Sequence, residues 1–403
     1  MPACPGTIER LWRMEPTFLL VIAAAAFAMS ISWLSLFPIR KFARTLGLLD
    51  RPGGNSSHAA PTPLGGGVGI FIGILVTVTL ASLAALPLAS VSGEQQGVTL
   101  PVSGWFSWLP ETWLQTAAVY APGVNARMGA IWAIIAAGAV LTALGVWDDR
   151  RGLPVVLRLG VQFGVAFAVV EGLDIRLTAY LTSGWLTTLL SMLWIVAVIN
   201  SFNMLDNMDT LSGGVAAIIA FSMAAVMMTT PDPGSDRPQL LVAALLCIVG
   251  GAILGFLIHN RPPARIFMGD GGSYLVGFLI SVAMLMATYA GGNGDEGPRP
   301  HAVLAPLCAM VVPLYDMTTV LWIRIREGRS PFLGDHSHLS HRLVDMGLSR
   351  VAAVATVHLI TLTCGLSALL LTHVTVLQAL TVLGIVGCMI TLIAILESTQ
   401  WRG

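Results

Sequence analysis

Charge is what this chain has least of. Only 10% of its 403 residues are Asp, Glu, Lys or Arg, against 55% hydrophobic, and the mean hydropathy is +0.80. That excludes an ordinary soluble domain, which could not keep so much apolar surface from water. The 21 basic and 21 acidic residues cancel, so no overall field favours a nucleic acid, and every basic residue except Lys41 is an arginine. Cysteine is also scarce. Cys4, Cys247, Cys308, Cys364 and Cys388 form no CxxC pair, and four of them sit inside apolar runs, which argues against a disulfide framework or a zinc site. There is no internal repeat, and no polar stretch is long enough for a second, soluble domain.

What the chain does have is long hydrophobic runs. About 20 apolar residues cross a hydrocarbon core. On that measure the sequence predicts an all-α, polytopic bundle of about 11 spans, with 10 as the alternative, in one domain over 1–403. The spans centre near Ala25, Val76, Ala137, Phe163, Trp194, Ile219, Leu246, Ile280, Val311, Ile360 and Gly384. The first, about 17–38, lacks a small-residue cleavage site and is expected to be a retained helix. The fourth is weakened by Arg158 and Gln162 in its first turns.

Of the 21 basic residues, 14 fall in segments that follow odd-numbered spans, which predicts that those segments are cytoplasmic and the N-terminus outside. The cytoplasmic loops are then about 40–64, 147–154, 205–211, 260–273 and 324–350. The long external segment 90–127 carries Trp105, Trp108 and Trp113, a pattern that suits a short helix at the lipid interface.

The carboxylates gather on that same side. Asp148-Asp149 closes the third span, where the helix dipole and mutual repulsion both oppose two acids; a divalent cation would relieve the cost, and so would solvent with Arg150 and Arg151. Asn200, Asn203 and Asp206, with Asn207 and then Asp209, recur at helical spacing and form either a ligand-reading stripe or a polar helix seam. In the turn 260–273, Asp270 offers a hard oxygen to Mg²⁺. Gly269, Gly271 and Gly272 there would let backbone approach a ligand, and Ser273 opens a helix toward phosphate. The run 335–342 holds Asp335, His336, His338, His341 and Arg342; the histidines and the arginine suit phosphate or pyrophosphate better than zinc. The first loop has Asp50, His58 and a glycine run at 65–67, either an anion site at a helix start or a plain connector.

In this order, from about Asp50 to Arg342, the segments resemble the polyprenyl-phosphate N-acetylhexosamine-1-phosphate transferases, glycosyltransferase family 4. Its members begin O-antigen lipopolysaccharide, enterobacterial common antigen and wall teichoic acid, and the MurNAc-pentapeptide translocase is a distant relative. Asp148-Asp149 looks like the family's DD pair. Asn200, Asn203, Asp206 and Asp209 look like its NxxNxxDxxD, residues 263–273 like PAxxFMGDxGS, and 335–342 like its His-rich loop. Asn55-Ser56 stands where many members have Arg-Lys, Leu64 where they have Arg, and Ser340 interrupts the last histidine pair.

The resemblance implies transfer of a sugar 1-phosphate from a UDP-N-acetylhexosamine, UDP-GlcNAc first among them, to undecaprenyl or another polyprenyl phosphate, with UMP released. It implies Mg²⁺, with Mn²⁺ as the substitute, and a cytoplasmic active site in the inner (plasma) membrane. Asp148, Asp149 and Asp270 become the candidate catalytic acids, with Asp270 and Asp149 on the metal. Asn200, Asn203, Asp206, Asp209, His58, His338, His341 and Arg342 become the substrate contacts. A phosphate monoester is already ionised at neutral pH, so direct attack needs no strong base, and Asp148 or Asp149 is the candidate proton acceptor. The oligomeric state stays open, a homodimer included. The competing readings are an ion- or proton-coupled transporter, with Asp316 beside Pro313 as its main support, and an inactive scaffold.

Overall fold

The computed structural model describes residues 5–50, 61–91, 111–177, 181, 183–232, 237–287, 289, 299–332 and 337–398, with side chains of 5–15, 89–91 and 398 left aside. It is a helical bundle. Helix α1 (Pro5–Phe42) leads through a two-residue antiparallel pair, β1 (Leu49–Asp50) with β2 (Thr62–Pro63), into α2 (Gly66–Val91). Then come α3 (Glu111–Ala126), α4 (Met128–Arg151), α5 (Val155–Gly172), α6 (Gly184–Leu205) and α7 (Leu211–Thr229). The chain continues with α8 (Leu240–Asn260), α9 (Gly269–Met286), α10 (Ala305–Ala309), α11 (Val311–Arg326), α12 (Leu339–Asp345), α13 (Arg350–Leu371) and α14 (Val376–Ser398).

Among the described residues, ten helices are long and apolar enough to cross a membrane, and an eleventh span exists if α10 and α11 count as one, bent by 63°. Both anticipated counts are thus present in one molecule. The span expected near Val311 falls on the break, where Pro313 has no N–H to give to the carbonyl one turn back. The protein is a multi-pass membrane protein. Helix α3 lies within the segment whose tryptophans suggested a short helix, though Trp105 and Trp108 are outside the described residues.

Small residues set the close approaches. On α8, Gly251 and Gly255 lie one turn apart, and a Cβ on either would come within 2.2 Å of an α1 carbonyl, at Ala25 or Met29. This is the small-xxx-small solution for helices surrounded by lipid, where apolar burial alone gives no drive to associate. Helices α7, α8 and α9 form the buried centre, where Phe256, Tyr274 and Phe278, with Phe202 of α6, are at most 1% exposed.

At one end of this bundle the helix termini converge. The β pair is stitched to the segment before α9: Phe267 N donates to Pro63 O at 2.9 Å, Gly66 N to Phe267 O at 2.9 Å and Gly67 N to Met268 O at 3.0 Å. Sequence reading anticipated only a loop there.

Candidate active site

The first turn of α9 is the keystone. Gly269 has φ +71°, and a Cβ on it would sit 2.5 Å from Asp149 Oδ2, so glycine alone fits. Asp149, in the last turn of α4, uses that space to accept the α9 backbone N–H groups of Asp270 at 2.9 Å and Gly271 at 3.5 Å. One turn back, Gly145 lets α4 lie against the Asp270 carbonyl, and Gly67 of α2 meets Gly272 backbone to backbone. Gly271 and Gly272, expected to admit a ligand, instead admit neighbouring helices.

Asp270 accepts Asn203 Nδ2 at 2.6 Å, and the same amide reaches Ser273 Oγ at 3.1 Å. Asp206 follows the end of α6, which stops at Leu205, so the polar stripe is helical only as far as Asn203 and then turns. Burial, with the Asp149 and Asp209 carboxylates nearby, pushes the Asp206 carboxyl up to about 7, and an N–H bond from Gly269 only partly offsets this.

These acids share one cavity of about 880 Å³, lined by Asp50, Asp149, Asp206, Asp209 and Asp270, by Asn200, Asn203 and Asn207, and by Arg158, Arg324, His338 and His341. The lining also includes the apolar side chains of Val155, Leu159, Leu193, Met317, Leu321 and Phe332.

The neighbouring acid behaves differently. Asp148 is 6% exposed and accepts Arg158 Nη1 at 2.9 Å, Leu153 N at 2.7 Å and Tyr274 OH at 3.0 Å. It locks α4, α5 and α9 together, while Asp149 faces the cavity. Asn200 is braced by Gln162 at 2.7 Å. Asp209 Oδ2 accepts Ala264 N at 2.9 Å, and Asn260 accepts Thr210 N at 2.7 Å, which pins the loop before α9.

On the far wall, Asp316 of α11 is fully buried and accepts both His338 Nδ1 at 2.8 Å and Leu339 N at 2.6 Å. This bond sets the His338 tautomer and leaves Nε2 for the cavity. The feature a transporter reading leaned on is therefore committed to positioning a histidine. Ser340 Oγ donates to Asn207 Oδ1 at 2.7 Å, tying α12 to the end of α6. Arg342 does not join the cavity wall: its guanidinium pairs with Glu397 of α14 at 3.2 Å and donates to Thr319 at 3.1 Å. His58, Asp335 and His336 lie outside the described residues. Arg158 and Arg324, counted in the sequence only as orienting charges, turn out to be the cavity's guanidiniums; the one sequence signal was an arginine inside the first turn of a weak span.

Among the described residues no three His, Cys, Asp or Glu side chains form a ready-made metal cage. The donor set nonetheless fits a hard cation. Five carboxylates face two guanidiniums around the cavity, and Mg²⁺ is ordinarily held by one or two carboxylates, with waters and substrate phosphates supplying the rest.

Residues 131–288 match the family model described as glycosyl transferase family 4. The chain is 30% identical over 348 residues to the decaprenyl-phosphate N-acetylglucosaminephosphotransferase of Mycobacterium tuberculosis, covering 82% of this chain and 77% of that protein. It is 27% identical over 363 residues to the probable undecaprenyl-phosphate N-acetylglucosaminyl 1-phosphate transferase of Bacillus subtilis, covering 88% and 86%. It is 28% identical over 348 residues to the undecaprenyl-phosphate alpha-N-acetylglucosaminyl 1-phosphate transferase of Escherichia coli, covering 83% and 78%. With its acids gathered at the mouth of one helical bundle and these relatives along most of its length, the chain belongs to glycosyl transferase family 4, the polyprenyl-phosphate N-acetylhexosamine-1-phosphate transferases.

Proposed function

We propose that the protein transfers an N-acetylhexosamine 1-phosphate, GlcNAc 1-phosphate first among the candidates, from its UDP-sugar to a polyprenyl phosphate such as undecaprenyl phosphate, releasing UMP at the cytoplasmic face of the plasma membrane. The observation that carries this is the makeup of the cavity that the acids share. Its lining combines an excess of carboxylates, with amides, arginines and histidines, and a set of apolar side chains. A donor with a diphosphate and an acceptor with a long hydrocarbon tail need both kinds of lining in one cavity. At about 880 Å³ the cavity also suits ligands of that class.

Mg²⁺ is the fitting cofactor; Asp270 and Asp149 would hold it, and when bound it would neutralise phosphate charge and ease departure of UMP. The chain's own groups do the rest. Asn203 orients Asp270 through its amide, and the α9 backbone N–H groups orient Asp149. His338, steadied by Asp316, presents Nε2 to the donor's diphosphate alongside His341 and Arg324. Preorganised donors of this kind stabilise charge that develops on a leaving phosphate. The acceptor's phosphate attacks directly, with Asp149 rather than Asp148 as the proton acceptor available in the cavity.

The test is purified protein with polyprenyl phosphate, Mg²⁺ and a panel of UDP-N-acetylhexosamines, with UMP release measured. Turnover with one or more donors is expected, and its abolition in a folded Asp270→Asn variant. No UMP from any donor, or near-normal turnover by that variant, would overturn the assignment.

A further inference from the structure

Helix α14 has 23 residues, and one of them is charged: Glu397, in the last turn. A carboxylate there is opposed by the negative end of the helix dipole and by surroundings poor in water. Most of α14 is open to its surroundings, yet Glu397 is 7% exposed. Its Oε2 accepts Tyr315 OH of α11 at 2.8 Å, and its Oε1 lies 3.2 Å from Arg342 Nε of α12. Among the described residues neither Oε1 nor Nε makes a hydrogen bond, so what joins them is the pairing of opposite buried charges.

The far end of Arg342 donates from Nη2 to Thr319 at 3.1 Å. Tyr315, Asp316 and Thr319 lie within one turn of α11, and α12 is the short helix opened by His338 and carrying His341. Three contacts thus seat α12 on α11: Asp316 to His338 and Leu339 N, Thr319 to Arg342, and the Tyr315–Glu397–Arg342 relay. The last of these comes from the end of a helix with little other packing.

We propose that Glu397 is a positioning residue: through Arg342 it holds α12 in place and so fixes His338 and His341 at the cavity wall. Arg342 is then a structural link and does not touch substrate phosphate. This rests on the transferase reading for its kinetic consequence but not for its structural one, and two readouts separate them.

The first needs no activity. Glu397→Gln keeps the shape of the side chain and removes its charge, and hydrogen–deuterium exchange of residues 337–346 in the full-length protein should then rise severalfold. Unchanged exchange there overturns the inference whatever the enzyme does. The second is kinetic. In Glu397→Gln, kcat/KM for the UDP-sugar should fall by roughly 10-fold or more, since displacements near 1 Å at a site can cost about 100-fold. The loss should appear mainly in the donor KM, with the acceptor KM unmoved.

Arg342→Gln should match Glu397→Gln, the double variant should be no worse than either single, and Glu397→Asp should recover part of the loss. An Arg342→Gln defect far larger than that of Glu397→Gln, with additive losses in the double variant, would overturn the inference and return Arg342 to the substrate. If wild-type protein releases no UMP, the transferase reading fails, while the exchange result still decides the role of Glu397.

Discussion

Gly145→Ala is the smallest change with a large expected effect. A Cβ at 145 falls 2.3 Å from both the Asp270 carbonyl carbon and the Gly271 nitrogen, and 2.5 Å from the Asp270 oxygen. These are backbone atoms in the first turn of α9, so none can swing aside as a side-chain tip would. Regaining ordinary contact near 3.4 Å requires α4 and α9 to part by about 1 Å. Asp149 rides on α4 one turn later. Its bond to Asp270 N at 2.9 Å would stretch past range, and its contact with Gly271 N at 3.5 Å is already at the limit. Overpacking of this kind costs on the order of 1–3 kcal/mol of stability, and a displacement near 1 Å in the site costs about 100-fold in rate. UMP release by purified variant, with its melting temperature alongside, measures both. Gly160→Ala on α5 is the control, since a Cβ there meets nothing within 4 Å; it should leave turnover unchanged. A Gly145→Ala protein with wild-type kcat/KM would refute the claim that this contact sets the geometry of the acids.

The adjacent acids should part company. Asp148→Asn strands Arg158, itself partly open to solvent, and should cost about 1–3 kcal/mol of stability in a thermal melt. Asp149→Asn keeps an oxygen for the Asp270 N–H, the shorter of the two bonds, and should lose turnover while melting near wild type. Asp206, with its carboxyl raised from 3.8 to about 7, holds a proton in the fold that the unfolded chain gives up; in chelator-treated protein stability should be full below pH 4, fall as pH rises toward 7, and flatten with Asp206→Asn. Asp316→Asn lets the His338 ring choose its tautomer and should lower turnover by about 10-fold or more. Chelation should stop UMP release, Mg²⁺ should restore it and Mn²⁺ should substitute; full activity after thorough chelation would remove the metal from the mechanism.

Spans and the gathering of acids at one end were legible because both are local properties, run length and the position of charge at run ends. Partnerships were not. Asp149 meets a helix start 121 positions later, and nothing in the string Asp148-Asp149 says which acid turns to the cavity and which to Arg158. Glycines misled in an informative way: a turn containing Gly269, Gly271 and Gly272 reads like a ligand cradle, but two of the three are small because α2 and α4 press against them. Arg342 misled for a related reason. Its partner, Glu397, lies 55 positions on, at the end of an apolar helix that the sequence marks only as a span. The β pair escaped notice because two-residue strands carry no periodicity.

Around the cavity, carboxyl groups outnumber guanidiniums five to two, while the amino end of α9 contributes partial positive charge from its backbone. On the proposed reading, a bare nucleotide would be turned away by the first, and a bare ion would be welcomed but left short of oxygens. Each guest therefore supplies what the other needs, and linkage requires the help to be mutual: whatever factor the ion adds to nucleotide affinity, the nucleotide adds to ion affinity. Loading of the two should be synergistic, and a resting enzyme short of substrate should hold its ion only loosely.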